Sequence, residues 1–458
     1  MGGVTGPTAA PPAGGDADTA LRQAIRLPHA TAMVVGTIIG ASIFVQPSEI
    51  TGQVPTLWGV LLVWAVAGAL TLIGALVCAE LASTFPRTGG VYVYLKETYH
   101  PAVGFLWGWA MLWSMHSGII AAIAVVFARY TAYFVPLGAW GTKGVAIAAI
   151  LVLSAVNYVG VRHGTLVQTA FTAGKLVAVA AIIVLGMALG GRVPAHFVPS
   201  AEAQAIGVAD VLTALVAALF AFGGWHMVTY NAGETVDARR TIPRALIAGT
   251  LIVTVSYVGM NAVYMYVLPI DTVATSTRVA ADLAEALLGF EGGALMSGVV
   301  MFSTFGALSG VVLAGPRVYY SMARDGLLFG WMGAVHPRFH TPHRAVVLQA
   351  AVAALLVATG TFRALFTRVI YTEWIFFALL AAGLILLRRR PDVTRGYSAW
   401  GYPVAPVVFV VMSAAIVVNQ LVTNTADAAA GLGLVLLGLP IYLAWTRYRR
   451  ALKSTPSP

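Results

Sequence analysis

An all-α membrane protein of twelve transmembrane helices is the fold class predicted by three features of this 458-residue chain: its composition, its span-length apolar runs and the sorting of its basic residues. Hydrophobic residues make up 59% and charged residues 10% of the sequence, with a mean hydropathy of +0.84. A soluble domain has roughly 25% charged residues and could not hide so much apolar surface. A helix needs about 20 residues to cross a bilayer. Twelve crossings with short loops therefore consume nearly the whole chain, and any function must sit in the membrane-embedded part.

Taken in order, residues 1–28 read as a disordered cytoplasmic tail. They are rich in Gly, Ala, Pro and Thr and lack the basic region and apolar run of a secretory signal. Spans are expected at 29–52, 56–81, 101–135, 143–161, 166–190, 209–233, 244–268, 293–323, 344–360, 369–388, 403–423 and 430–447, with a second tail over 448–458. With the amino terminus inside, 20 of the 27 Lys and Arg residues fall in cytoplasmic loops and 5 outside, leaving Arg129 and Lys175 within spans. That asymmetry is the positive-inside pattern. It predicts a multi-pass protein of the cell (inner) membrane with both termini cytoplasmic, and it accounts for the net charge of +10 without a nucleic-acid partner. Cys78 is the one cysteine, so neither an internal disulfide nor a disulfide-linked subunit is expected, and a monomer in the lipid bilayer is.

Two spans are unlike the others. The first contains Gly36-Thr37-Ile38-Ile39-Gly40-Ala41-Ser42-Ile43-Phe44 and the sixth contains Phe220-Ala221-Phe222-Gly223-Gly224-Trp225-His226. Each sets glycines and small residues in the middle of an apolar helix. Glycine is common in membrane helices for close packing, but interruptions at matching places in two halves point to a binding site between inverted repeats. The expected organisation is a five-plus-five inverted repeat, 29–190 and 209–388, with helices 1 and 6 broken, followed by helices 11 and 12 over 403–447. Where a helix unwinds, freed N–H groups at the start of the outer half can receive a carboxylate. Carbonyls at the end of the preceding half can accept from an ammonium group. A zwitterion meets both needs, so an α-amino acid fits best, although a small carboxylate or amine would engage half of the same groups.

The charged and aromatic residues sort by position. Lys175 lies about 15 Å into the fifth span, where a charge is costly unless paired and functional by default. His226 either flanks the cavity or packs within the bundle, and His116 reads as structural. Glu80 and Glu234, at helix ends, read as salt-bridge partners. Trp58, Trp107, Trp109, Trp113, Trp374 and Trp400 read as an interfacial belt, with Trp225 set apart by the break. No metal-spaced His/Cys/Asp cluster, phosphate loop or nucleophile motif is present, so no enzyme activity, cofactor or metal is expected.

In GTIIGASIF (36–44), AELASTFPRTGG (79–90), GFLWGW (104–109), FAFGGW (220–225), the run from Glu234 to Arg244, FSTFGALSGVVLAGPRVYYSMARDG (302–326) and GYPVAP (401–406), the chain resembles the amino acid–polyamine–organocation superfamily and, within it, the L-type amino acid transporter branch. The resemblance covers nearly everything after the tail. It implies alternating-access transport of amino acids without sodium, by exchange, with substrate held on the first and sixth helices. Carried over by position, the amides of Gly40, Ala41 and Ser42 would hold the carboxylate. The carbonyls of Ile38, Phe220 and Gly223 would hold the amine, beside Gly224 and His226, with Phe220 as outer gate. Lys175 would take the place of a sodium ion and brace the unwound first helix; a proton-releasing role is the other possibility. The branch commonly has Gly-Ser-Gly where Gly40-Ala41-Ser42 stands, so Ser42 adds a side chain and favours small to medium neutral substrates. A proton-coupled amino acid or polyamine importer and an amino-acid sensor are the alternatives.

Overall fold

The computed structural model describes residues 23–454 apart from 41, 192, 194–205, 361 and 424, with the side chains of 161–165, 167, 290, 362–371, 427 and 450–454 also outside the description. Ala41 of the first break and the tail up to residue 22 therefore lie outside the described residues.

Among the described residues the regular secondary structure is helical, apart from an isolated parallel bridge between Ile25 and Thr235. The first span is α1 (Leu27–Ile38), a 3-10 turn over Ser42–Phe44, and α2 (Gln46–Gln53). The second is α3 (Leu57–Thr84), whose entry is capped by Thr56 Oγ1 accepting from Gly59 N at 3.1 Å. A short α4 (Val91–Thr98) follows, then α5 (Pro101–Trp113) and α6 (Met115–Thr131), with Pro101 setting the first turn of α5. Next come α7 (Ala139–Val159), α8 (Val161–Leu189) and α9 (Val208–Ala221), the last continued by a 3-10 segment over Trp225–Glu234. The remainder is α10 (Ala238–Val267), short α11 (Ile270–Thr275) and α12 (Val279–Leu288), α13 (Phe290–Arg324), α14 (His343–Thr359), α15 (Phe362–Leu387), α16 (Val404–Thr423) and α17 (Thr425–Ser454). Ten described segments are long and apolar enough to cross a bilayer, and two shorter apolar helices, His343–Thr359 and Thr372–Leu387, stand beside them.

Several expected boundaries move. The third span is interrupted at Ser114 (φ −137°, ψ −71°), which separates α5 from α6. The tenth begins at Phe362 and not at 369, because the apolar run continues through Arg363 and Arg368. Arg317, expected in a cytoplasmic loop, is two turns inside α13 and fully buried. It can sit there because Glu234, at the end of the sixth span, neutralises it through paired contacts of 3.0 and 3.1 Å, while a third nitrogen donates to the Leu313 carbonyl at 2.7 Å. Glu80 is likewise held by Arg388 at 2.8 and 2.6 Å and accepts from Ala399 N at 2.7 Å. Of the expected tryptophan belt, Trp58 (71% exposed) and Trp400 (66%) lie at the surface, but Trp107 is fully buried against Phe376 and Phe377.

The Glu234–Arg317 pair ties the sixth span to α13 at one end of the bundle. Removing one partner of a fully buried pair strands the other charge and costs about 3–5 kcal/mol. Glu234→Ala should therefore lower the melting temperature of the purified protein sharply, and Glu234→Ala with Arg317→Leu should recover a large part of the loss. Equal melting of wild type and the single variant would show that the pair does not hold these elements.

Candidate functional site

Both unusual motifs break their helices. In the first span, α1 stops at Ile38, Ile39 leaves helical geometry (φ −70°, ψ 84°), and Gly40 N–H turns back to donate to the Ile38 carbonyl at 2.7 Å. In the sixth, α9 stops at Ala221, Gly223 N–H donates to the Phe220 carbonyl at 2.9 Å, and Gly224 takes φ +98° before the 3-10 segment begins. The two breaks meet. Thr37 Oγ1 lies 2.7 Å from the Met33 carbonyl and 3.2 Å from that of Gly224, and a Cβ on Gly224 would come within 3.3 Å of the Thr37 carbonyl. Left-handed φ and close approach both call for glycine there.

Two side chains from neighbouring helices satisfy the carbonyls that the breaks release. Lys175 on α8, 1% exposed, donates from Nζ to the carbonyls of Gly36 (3.0 Å) and Ile39 (2.7 Å). α8 can come this close because Gly36 has no side chain. A Cβ there would sit 2.1 Å from Gln168 Nε2 and 2.2 Å from Thr172 Oγ1. Tyr257 on α10 places its hydroxyl between the ends of the two half-helices, 2.8 Å from the Ile38 carbonyl and 3.0 Å from that of Ala221. Carbonyls at a helix end carry partial negative charge, so an ammonium and a phenolic hydroxyl are the donors suited to them.

Beside the breaks lies a small cavity with an open mouth. Ile38, Gly40 and Ser42 line it from the first span, Phe220 and Gly223 from the sixth, Ile119 and Ile123 from α6, and Glu373 and Trp374 from α15. Five of the sequence-derived site residues thus share one wall. Gly224 faces Thr37, and Lys175 reaches the far side of the first break. His226 does not line the cavity. Its ring is edge-on to Trp107, Trp225, Tyr230 and Phe377, and neither nitrogen has a hydrogen-bond partner.

Trp374 is not a belt residue. With α15 starting at Phe362, it falls about 18 Å along the helix and its side chain, 4% exposed, packs on Phe409 beside the cavity. Glu373, its neighbour, was not singled out from sequence. The signal was a carboxylate inside an apolar run, masked by a span boundary set only four residues before it. Tyr257 carries no sequence signal at all, since one tyrosine in an apolar helix looks like any other.

Tyr257→Phe keeps the ring packing with Trp64 and Phe222 but removes the bridging hydroxyl. Leaving buried acceptors short costs about 1–3 kcal/mol, so the variant should fold, melt lower and bind substrate at least several-fold more weakly. Unchanged affinity would show that the hydroxyl does not set the geometry of the breaks.

A sequence profile described as amino acid permease matches residues 25–441. The chain is 33% identical over 429 residues to the serine/threonine exchanger SteT of Bacillus subtilis (strain 168), covering 93% of this chain and 97% of that one. It is 31% identical over 446 residues to the large neutral amino acids transporter small subunit 2 of Homo sapiens (95% and 82% covered) and 30% identical over 439 residues to the b(0,+)-type amino acid transporter 1 of Homo sapiens (94% and 89%). The matches run from ahead of α1 into α17 and take in both broken spans, and on this ground the chain, a multi-pass membrane protein, belongs to the amino acid permease family.

Proposed function

We propose that this protein is a sodium-independent secondary transporter that exchanges neutral L-amino acids, small to medium in size, across the cell membrane by alternating access. The observation that carries the reading is the meeting of two broken helices beside one cavity, with backbone donors and acceptors of both signs at its wall. The relatives include a serine/threonine exchanger and transporters of neutral amino acids, which supports the same class of substrate here. In this reading the amides of Gly40, Ala41 and Ser42 hold the substrate carboxylate, and the carbonyls of Ile38, Phe220 and Gly223 hold its amine. In the present conformation Gly40 N–H is directed to the Ile38 carbonyl, so binding would exchange an internal hydrogen bond for one to each end of the zwitterion. Phe220 serves as gate, Ser42 with the Ile119, Ile123 and Trp374 side chains limits substrate size, and Gly224 and His226 support the break from behind.

Lys175 supports sodium independence. Its ammonium already occupies the carbonyls of Gly36 and Ile39, where a coupling cation would otherwise find oxygen ligands. The ten long and two shorter apolar helices support twelve crossings, arranged as two inverted five-helix repeats (29–190 and 209–388) and two further helices (403–447), with both termini in the cytoplasm. Cys78 is buried in α3, which favours a monomer without a disulfide-linked partner.

Counterflow tests the reading. Protein reconstituted into liposomes loaded with unlabelled serine or threonine should accumulate labelled serine, threonine or alanine without sodium, and tryptophan or arginine should compete poorly. Binding without counterflow would indicate a sensor. Lys175→Ala should lower exchange by at least tenfold while the protein remains folded, because two carbonyls at the first break lose their donor. Normal exchange by that variant would remove Lys175 from the mechanism.

A further inference from the structure

The cavity wall carries one ionisable group among the described residues, Glu373. It is 6% exposed, and among the described residues no ion pair or hydrogen bond engages its carboxyl group. The other membrane-embedded charges with printed geometry are taken: Lys175 by two carbonyls, Arg317 by Glu234, and Glu80 by Arg388. Titratable groups on the elements packed against α15, Tyr230 apart, are turned elsewhere. On α6, His116 Nε2 lies 2.8 Å from the Val311 carbonyl. On α4, Lys96 and Tyr92 both reach Asp325, and Tyr94 lies fully buried. Cys78 on α3 and Tyr442 on α17 are buried, and Tyr442 packs on Phe105. Asp210 caps the start of α9, and α16 has no titratable residue. In the 3-10 segment His226 lies edge-on to Tyr230, and Tyr230, whose buried hydroxyl has no hydrogen-bond partner, interacts electrostatically with Glu373 but as a phenol supplies no positive charge.

A zwitterionic amino acid does not change this balance. Its ammonium and carboxylate are both spoken for by backbone groups of the two breaks, so it adds no net charge. Glu373, itself buried, would then face a mostly apolar cavity as an uncompensated carboxylate, and a buried charge of that kind is strongly disfavoured without a partner. Among the described residues the wall supplies no cation. The loaded site must receive one from outside.

We infer that Glu373 is the counter-ion for one positive charge that enters the site in addition to the zwitterion, so that it determines the charge of the cargo. Two sources share this chemistry. One is an ammonium on the substrate side chain, with the Trp374 and Phe220 faces nearby suited to a cation. The other is a proton, which binds the carboxylate when a neutral amino acid is carried. The inference rests on the reading of this cavity as a transport site: the proton source keeps its neutral substrates, and the side-chain source replaces them with cationic ones.

The test uses a matched pair of substrates, homoserine and 2,4-diaminobutyrate, which differ by a hydroxyl against an ammonium at the end of the same side chain. Half-saturating concentrations for counterflow are measured at pH 6 and pH 8 for the wild type, Glu373→Gln and Glu373→Asp. A side-chain source predicts at least a tenfold preference of the wild type for the diamino acid at both pH values. A proton source predicts that homoserine is taken up about tenfold more efficiently at pH 6 than at pH 8. In either case Glu373→Gln loses the dependence and Glu373→Asp keeps its direction. Wild type that shows neither dependence overturns the inference whatever the variants do, as does a folded Glu373→Gln that retains it. Counterflow of homoserine with no such dependence leaves the transport reading standing, whereas no counterflow of any amino acid overturns both.

Discussion

Unwinding a helix inside a bilayer strands backbone N–H and C=O groups where no water reaches them, and this chain does so twice, side by side. The arrangement is possible only because neighbouring helices provide donors for the freed carbonyls. Lys175 answers Gly36 and Ile39, Tyr257 answers Ile38 and Ala221, and Thr37 ties one break to the other. Each donor comes from a different element, so α8, α10 and α1 must all be in register before the breaks can form. The close approach at Gly36 is the steric counterpart of the same requirement, since α8 could not bring Lys175 to the break past a larger side chain.

The ends of the bundle are held by a different device. Glu234–Arg317 and Glu80–Arg388 are paired, two-point contacts that link the sixth span to α13 and α3 to the end of α15. Bidentate pairs fix orientation as well as distance. The first of them therefore anchors the end of the sixth span, whose middle is irregular, and the second fixes α3 against α15 beside it. Apolar packing in lipid cannot do this as specifically, because tails and side chains are alike in polarity and the drive to associate comes from fit and polar contacts.

The helical membrane class and the two breaks were legible in the sequence because each has a local cause: sustained hydropathy for the first, glycines amid apolar residues for the second. Lys175 was legible because a basic residue in mid-span is conspicuous. What depends on the partner of a side chain was not. Trp107 and Trp374 look like interfacial tryptophans until α5 and α15 are packed, and Arg317 looks like a loop residue until Glu234 is opposite it. Tyr257 has no local peculiarity, and His226 beside the break lies in an aromatic enclosure that no spacing rule could foresee. Seven residues of error at the start of the tenth span were enough to hide Glu373 and misplace Trp374, since a boundary shift of that size moves a side chain about 10 Å along the membrane normal.

A division of labour follows from which groups touch the cavity. Main-chain donors and acceptors depend on the breaks alone, and in the proposed reading they would meet only what all amino acids share. The side chains of Ser42, Ile119, Ile123, Phe220, Glu373 and Trp374 line the cavity and, in the proposed reading, would meet a substrate's variable part. Substituting these walls need not disturb the breaks, because the residues that stabilise the breaks, Thr37, Lys175 and Tyr257, are bonded to main-chain carbonyls. A family at 30–33% identity can therefore hold one backbone plan while its members differ in cargo. Within this chain the feature that departs most from a neutral apolar wall is the Glu373 carboxylate, and charge is the substrate property that such a wall discriminates most strongly, since a methylene is worth only about 1–3 kcal/mol of selectivity and an unpaired buried charge costs more.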